Sequence, residues 1–565
     1  TDTAGVPGLP GVGNSPTTAL GRGFAVMSTA LDNAGHNCNL VTQAESLTMA
    51  KERVVERYGE LRYTIGTGCS GGSLTQQQVA NAYPGIYQGI LPQCSFPDAW
   101  STGNQLVDYH QIRKYVEDPS RWAPGVTWDP ASIGAIEGHP NHVNAIILDS
   151  LYLTSLGDPT NACAGVTAEQ RWSPANTAGV RCTLADYMVN VFGRRAVDGY
   201  AGRPLDNVGV EYGRTAFEQG RITKAQFLDL NEKIGGADIN AQPTAARTTA
   251  DEPALTNAYR SGAINDAANL DQTAIIDLRG SDDGSFHDAY RAFSVRARLD
   301  LEHGSHANQV IWQGPAPLVG GTDFTTKGLL AMDRWLTAVE RDGRAVPYAQ
   351  KVAEDKPADI RDHCETGTGA DIEGTSCPAI VRVYGTPRMV AGDSIATETN
   401  KCALKPLERG AYPGFTDAEF AGYAKAFPGG VCDFSKPAVD SEHKTIPWMT
   451  YDGVIGGRPL PPAGLPAGWS GVAFRGLRRS VTAARPGKGR VRIVRVRRSG
   501  RRWTVTLRAT RGTLHGVRIV VRGSRGKVLG ARTLKRLTTR RVTLVVRTTR
   551  AAGRHARVHV TAARG

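Results

Sequence analysis

The sequence predicts a mixed α/β protein built on a mostly parallel sheet, followed by a small, separate all-β domain. Three observations carry this. Short β-prone runs alternate with helical runs near the start of the chain and again after residue 270. A Gly-Cys-Ser-Gly-Gly turn (68–72) joins one of those strands to a helix. Charge then divides sharply: residues 471–565 hold 28 Lys and Arg and no Asp or Glu, whereas the remainder, with 39 basic and 53 acidic residues, is net −14 in a chain that is +14 as a whole.

Taken in order, Thr1–Thr18 is rich in Gly, Pro and Thr and reads as a loop, and Gly23–Thr29 reads as a buried strand. Thr42-Gln-Ala-Glu45 reads as a capping box that opens a helix running to Tyr58. Leu61–Thr67 is the strand before the turn. Ser73–Tyr83 is the helix after it, with Leu74, Val79, Ala80 and Tyr83 as its apolar positions, and Ile86–Leu91 is the next strand. Residues 95–270, rich in Trp, Tyr, Pro and Asn, interrupt the pattern and read as a lid insertion, with Trp100, Trp122, Trp128 and Trp172 as candidates to line a pocket or to fill the lid's own core. Thr273–Arg279 resumes the sheet and opens into Gly280-Ser-Asp-Asp-Gly-Ser285. Phe286, Tyr290, Phe293, Ala297 and Leu301 form the stripe of a helix ending near Gly304, although Phe293–Leu299 also alternates as a strand would. Asn308–Gln313 reads as the last strand.

The core therefore covers residues 1–94 and 271–345, with the lid at 95–270. Residues 346–458 form a Cys-rich extension, 459–480 a Pro-rich linker, and 481–565 a basic β-sandwich-like domain. Strands in that domain are expected at Arg490–Val496, Trp503–Arg508, Val517–Val521, Arg541–Arg547 and Arg557–Thr561. Its charge favours an anionic surface polymer. Trp503 is the only aromatic residue after position 480, which argues against base stacking and sequence-specific nucleic-acid reading.

The turn at 68–72 fits G-x-S-x-G, the nucleophile elbow of α/β-hydrolases. A serine held on a sharp strand-to-helix turn exposes its hydroxyl, and the helix N-terminus offers backbone N–H groups to a developing oxyanion. Ser70 is thus the candidate nucleophile and the N–H of Gly71 part of the oxyanion hole. The acid is expected in the loop after Thr273–Arg279: Asp283, with Asp282 as the alternative. The base normally follows the last strand, but Gly314–Gly321 contains no histidine. His287 is the first choice for it, lying just past the acid loop, and His306 and His363 are the alternatives. His139 and His142, in Gly138-His-Pro-Asn-His142, read as turn residues before metal ligands. No cofactor and no metal are expected.

With Cys69-Ser70, with Gly280-Ser-Asp-Asp283 and with Leu329–Val339, the chain resembles the tannase/feruloyl-esterase branch of the α/β-hydrolases. It is more closely similar to a family of secreted bacterial proteins of largely unknown function related to that branch. That similarity rests on Tyr63–Ser73, Asn81–Gly85, Ser95–Asp98, Pro387–Gly392 and Lys401–Pro406, and it excludes the tail. The resemblance implies a disulfide from the nucleophile's neighbour to the histidine's neighbour. His363-Cys364 is either a displaced version of that element or a coincidence. It also implies a longer N-terminal part that supplies half of the oxyanion hole, so the chain reads as N-terminally truncated or processed.

Nine cysteines, all before residue 433, suggest an exported protein with disulfides. Cys163/Cys182, Cys364/Cys377 and Cys402/Cys432 are local candidate pairs, which leaves Cys38, Cys69 and Cys94. No run of 18 apolar residues is present to span a membrane. The expected function is a secreted serine hydrolase acting on a small-molecule or polymeric carboxylic ester. An amidase or peptidase with the same triad, or a non-catalytic binding protein on a hydrolase scaffold, is the alternative.

Overall fold

The structure is a computed structural model that describes residues 16–29, 39–160, 165–282, 286–321, 323–366, 371–372, 382–447, 454–455 and 458–459. Beyond these it describes the strand segments 491–499, 502–509, 514–522, 528–537, 542–548 and 557–563. It divides into two compact units, Thr1–Gly476 and Leu477–Gly565.

The first unit is mixed α/β, with a central sheet whose strands lie side by side in chain order: β1 (Ile65–Cys69), β2 (Gly89–Gln93), β3 (Ala274–Arg279), β4 (Gln309–Gln313), β5 (His363–Glu365) and β6 (Asp371–Ile372). The first five are parallel and β6 is antiparallel. Every residue of β2, β3 and β4 is buried, as expected for parallel strands covered on both faces. On one face Leu91, Ile276, Leu278 and Val310 pack against Phe324, Met332, Trp335 and Leu336. Among the described residues no helix is long and apolar enough to cross a membrane.

Several expectations change. Residues 24–29 have no ladder partner among the described residues, and Pro16–Gly21 is a short helix. Helix α1 (Leu40–Tyr58) starts ahead of Thr42 because the Asn39 side chain accepts from the N–H groups of Val41 and Thr42, at 3.1 and 3.2 Å. Helix α2 (Gly71–Ala82) starts directly after Ser70. Asn308–Gln313 does not end the sheet, because β5 and β6 from the Cys-rich stretch extend it.

Between β2 and β3 the regular structure is mostly helical, beginning with α3 (Ala99–Val116) and including α4 (Pro130–Glu137). Trp100 is buried edge-on against Phe192, at 4.7 Å between ring centroids, and Trp122 and Trp128 pack on the core of this region. Trp172 lies under the Arg181 guanidinium. These rings pack into the insertion's own interior.

Helix α5 (Tyr290–His303) confirms the helical reading of Phe293–Leu299 but not its face. Leu301 is 67% exposed, whereas Arg291 and Arg298 are fully buried. The helix begins after Phe286 because that residue has φ 62°, outside the helical region. Arginine faces the interior here because carboxylates wait for it. Arg298 Nη1 donates to Asp98 at 2.7 Å and to the Asn265 carbonyl at 2.8 Å. Its Nε donates to the Ala396 carbonyl at 2.8 Å, and Nη2 to Ser101 Oγ at 2.9 Å. Asp98 also caps α3, accepting from the N–H groups of Trp100 and Ser101 at 2.8 and 2.6 Å.

Cys402 pairs with Cys432, and Cys69 with Cys94. Cys182 and Cys364 are each disulfide-bonded. Their expected partners Cys163 and Cys377 lie outside the described residues, as does Cys38.

The second unit contains two three-stranded antiparallel sheets. Strands β7 (Val491–Ser499), β8 (Arg502–Ala509), β9 (Leu514–Arg522), β10 (Val528–Leu537), β11 (Val542–Arg547) and β12 (Arg557–Ala563) pair in the orders β7–β8–β11 and β10–β9–β12. Trp503, Val505, Leu507, Val517, Ile519, Val521, Leu544 and Val546 are in its core. Strand β10, Val-Leu-Gly-Ala-Arg-Thr-Leu-Lys-Arg-Leu, is absent from the sequence reading because it is poor in the β-branched and aromatic residues that mark a strand.

Removing one partner of a buried ion pair leaves the other charge uncompensated. Arg298→Ala is therefore expected to lower the unfolding free energy by about 3–5 kcal/mol, read by denaturant titration. A loss near that of an exposed arginine would show that the pair does not hold the core.

Candidate active site

Ser70 closes β1 and opens α2 with φ 55° and ψ −115°, a left-handed backbone conformation that a non-glycine residue rarely adopts. Its surroundings over-determine that conformation. The Ser70 N–H donates to the Gln93 carbonyl at 3.1 Å, and its carbonyl accepts from the Leu74 N–H at 3.0 Å and from Ser73 Oγ at 2.7 Å. A Cβ on Gly68 would lie 3.0 Å from the Gly72 Cα, whereas one on Gly72 would meet nothing within 4 Å. The close approach of strand and helix thus demands the first glycine only. Gly71 is the first residue of α2, where N–H groups lack intrahelical acceptors and the helix dipole favours negative charge.

The Cys69–Cys94 bridge joins the ends of β1 and β2 beside the serine. A ring nitrogen of His287 and both sulfurs lie within 4.8 Å of one another. Because both sulfurs are spent in the disulfide, this trio has no thiolate to offer a metal. The His287 ring packs edge-on against Phe96, at 5.4 Å between centroids, and against Phe286, at 4.3 Å; its carbonyl accepts from Arg279 Nη2 at 2.6 Å.

The other candidates fall elsewhere. Asp282 accepts from His139 Nε2 at 3.0 Å and from the Ala289 N–H at 3.3 Å, and Asp283 lies outside the described residues. His306 sits in the turn before β4, at the rim of the sheet opposite Ser70, with Nδ1 2.8 Å from Asp300. The helical α5 is what carries it there. His363 is on β5, with β4 between it and β3, and its ring meets Trp312 and Phe324.

The rim of β3 holds buried charge. The Asp277 carboxyl is pushed up to about 6 by burial, which the Arg279 charge and a 2.6 Å bond from Ser95 Oγ oppose. Arg291 lies 3.9 Å over the Phe96 ring and donates to Asp288 at 3.0 Å. His139, Asp282 and Asp288 place ligand-type atoms within 4.8 Å of one another, but Asp288 is already held by Arg291, Gln105 and Asn144. This is a hydrogen-bonded knot under the acid loop.

The sequence reading missed the pairing of His139 with Asp282. The turn at 138–142 is legible, since Gly138 takes the left-handed conformation after α4, but a partner 143 positions away leaves no local signal. A strained serine at a helix N-terminus, with an imidazole close to the disulfide of its neighbour, is an arrangement suited to acyl transfer.

A family model described as tannase-like and of unknown function matches residues 9–443. The chain belongs to that tannase-like family. No curated protein and no solved structure matches it. In this tannase-like chain Cys69, the neighbour of the candidate nucleophile, is bridged to Cys94 on the adjacent strand end, where the resemblance implied a cysteine beside the histidine. Cys364, next to His363, is disulfide-bonded separately.

The pairing of His139 gives a pH prediction. Burial opposes the protonated ring, but the bond and charge of Asp282 and the charge of Asp288 outweigh it, so the pKa is raised above 6.5. The stabilisation is therefore fully present below about pH 6.5 and is lost as pH rises through the raised value. The difference in Tm between the parent and His139→Gln is expected to be largest in mild acid and to shrink towards alkaline pH. A pH-independent difference would rule out an ionic pair.

Proposed function

We propose that this chain is a serine hydrolase of α/β-hydrolase fold that cleaves carboxylic esters. The observation that carries the reading is the left-handed conformation of Ser70 on a strand-to-helix turn, a strained geometry of the kind that presents a serine hydroxyl in a nucleophile elbow. Membership of a tannase-like family supports the same chemistry.

In the proposed reaction Ser70 Oγ attacks the ester carbonyl carbon while His287 takes its proton. The oxyanion that forms is met by the Gly71 N–H at the start of α2. His287 returns the proton to the departing alkoxide, and water then releases the acid by the same steps in reverse roles. His287 is preferred as base because it packs against the bridge that anchors Cys69, whereas His306 lies at the far rim and His363 two strands beyond β3. Asp283 is preferred for orienting it, since Asp282 is engaged by His139. The segment 95–270 would act as the lid over this rim, and disulfides suit an exported protein.

A fluorophosphonate probe is expected to label Ser70, and Ser70→Ala to lose both labelling and about 10³-fold or more in kcat on a chromogenic short-chain ester. His287→Ala should behave similarly, and His306→Ala should stay near the parent. Turnover of an anilide but not of the ester would replace the esterase reading with an amidase one. Labelling that survives in Ser70→Ala would remove the nucleophile assignment.

A further inference from the structure

The second unit contains no acidic residue, so none of its arginines has a partner of opposite charge within it. Its two sheets distribute them unequally. Along β8, Trp503, Val505 and Leu507 are buried, while Arg502 is exposed and Thr504 and Thr506 are half-buried. The alternation continues on β11, where Leu544 and Val546 are buried and Thr543 and Arg547 are exposed. The outer face is therefore defined by the even positions of β8, and register assigns the rest. Arg502 stands opposite Arg547, and Arg508 opposite Arg492. Thr504 stands opposite Arg497 and the half-buried Val545, and Thr506 opposite Arg495 and Thr543.

Two features of this face are informative. Like charges directly across a ladder are destabilising, yet at both ends of these ladders the register sets arginine opposite arginine. Between them lie Thr504, Thr506 and Thr543, of which Thr506 and Thr543 are linked by a 2.9 Å hydrogen bond. Strand geometry sets the scale: positions 502–508 span about 20 Å, the three strands about 10 Å, and arginine positions two residues apart about 7 Å. The even positions of β9 differ, and Val520 among them is buried. Arg518 stands opposite Thr533 and Thr561, Val520 opposite Ala531 and His559, and one Arg–Arg pair, Arg522 with Arg557, lies at the end.

We propose that the outer face of the β7–β8–β11 sheet binds a linear anionic polysaccharide. Repeated carboxylates or sulfates along such a polymer relieve the Arg–Arg repulsion, with the guanidinium fork suited to bidentate pairing. Its hydroxyls find partners in Thr504, Thr506 and Thr543. Trp503, 6% exposed, is in the core, so the face has no ring on which bases could stack.

The test uses the full chain with dextran sulfate, neutral dextran and duplex DNA as probes, read by titration calorimetry over a range of salt. Binding to dextran sulfate and none to dextran is expected. The double variant Arg502→Ser/Arg547→Ser should lose about tenfold in affinity and lower the salt slope by about two. Arg495→Ser/Arg497→Ser, on the same face, should lose a similar amount, and Arg518→Ser, on the other sheet, less than about twofold. Equal losses on both sheets, no binding to dextran sulfate, or tighter binding to duplex DNA would each overturn the proposal.

Discussion

The ion pair between Asp98 and Arg298 ties together parts of the first unit that are far apart in sequence. Asp98 starts α3, the first helix of the insertion, and Arg298 lies on α5, between two strands of the sheet. Through its remaining donors Arg298 also holds the carbonyls of Asn265 and Ala396, so the approach to β3 and a late segment of the chain meet at one guanidinium. Such a group is costly to bury and persists only when nearly every donor has an acceptor. The helix is then fixed in rotation as well as in place, because turning it would strand the charge.

Asp98 ends a run of residues with other long-range ties. Cys94 is bridged to Cys69, the Ser95 hydroxyl donates to Asp277 and the Phe96 N–H donates to Ser73 Oγ. Ser73 in turn donates to the carbonyl of Ser70. A short chain of contacts therefore runs from the buried ion pair to the strained serine. Backbone strain at one residue needs a rigid surround that does not relax, and residues 94–98 supply it from the neighbouring strand end. The candidate base belongs to the same assembly, since Phe96 packs against the His287 ring.

Legibility in the sequence followed locality. The turn at 68–72 was readable because Gly68, Cys69, Ser70 and the helix after them express their geometry within a few residues, and β3 and β4 were readable as short β-prone runs around Ile275-Ile276 and Val310-Ile311-Trp312. The face of α5 was not, because apolar periodicity pointed to Phe286 and Leu301, while the interior is reached by Arg291, paired with Asp288 just ahead of the helix, and by Arg298, paired with Asp98 two hundred positions away. The start of α1 was misjudged because Thr42 and Glu45 offer a valid box, yet Asn39 is anchored from outside by Tyr187 and Asn190. Strands β5 and β6 are too short to carry an alternation and exist through pairing alone. The elbow and its serine thus came from local pattern. The setting of His287 beside a disulfide, and of His139 on Asp282, came only with the fold.

The division of charge along the chain makes this molecule a block polyampholyte rather than a uniformly basic protein, whatever its sequence pI of about 9.4 suggests. Opposite blocks on different copies attract one another over distances set by the Debye length, about 8 Å at physiological ionic strength. In dilute buffer the copies therefore draw together, and added salt loosens them. Solubility should rise with ionic strength, and the same molecule should adhere to both cation- and anion-exchange media, each holding it by a different block.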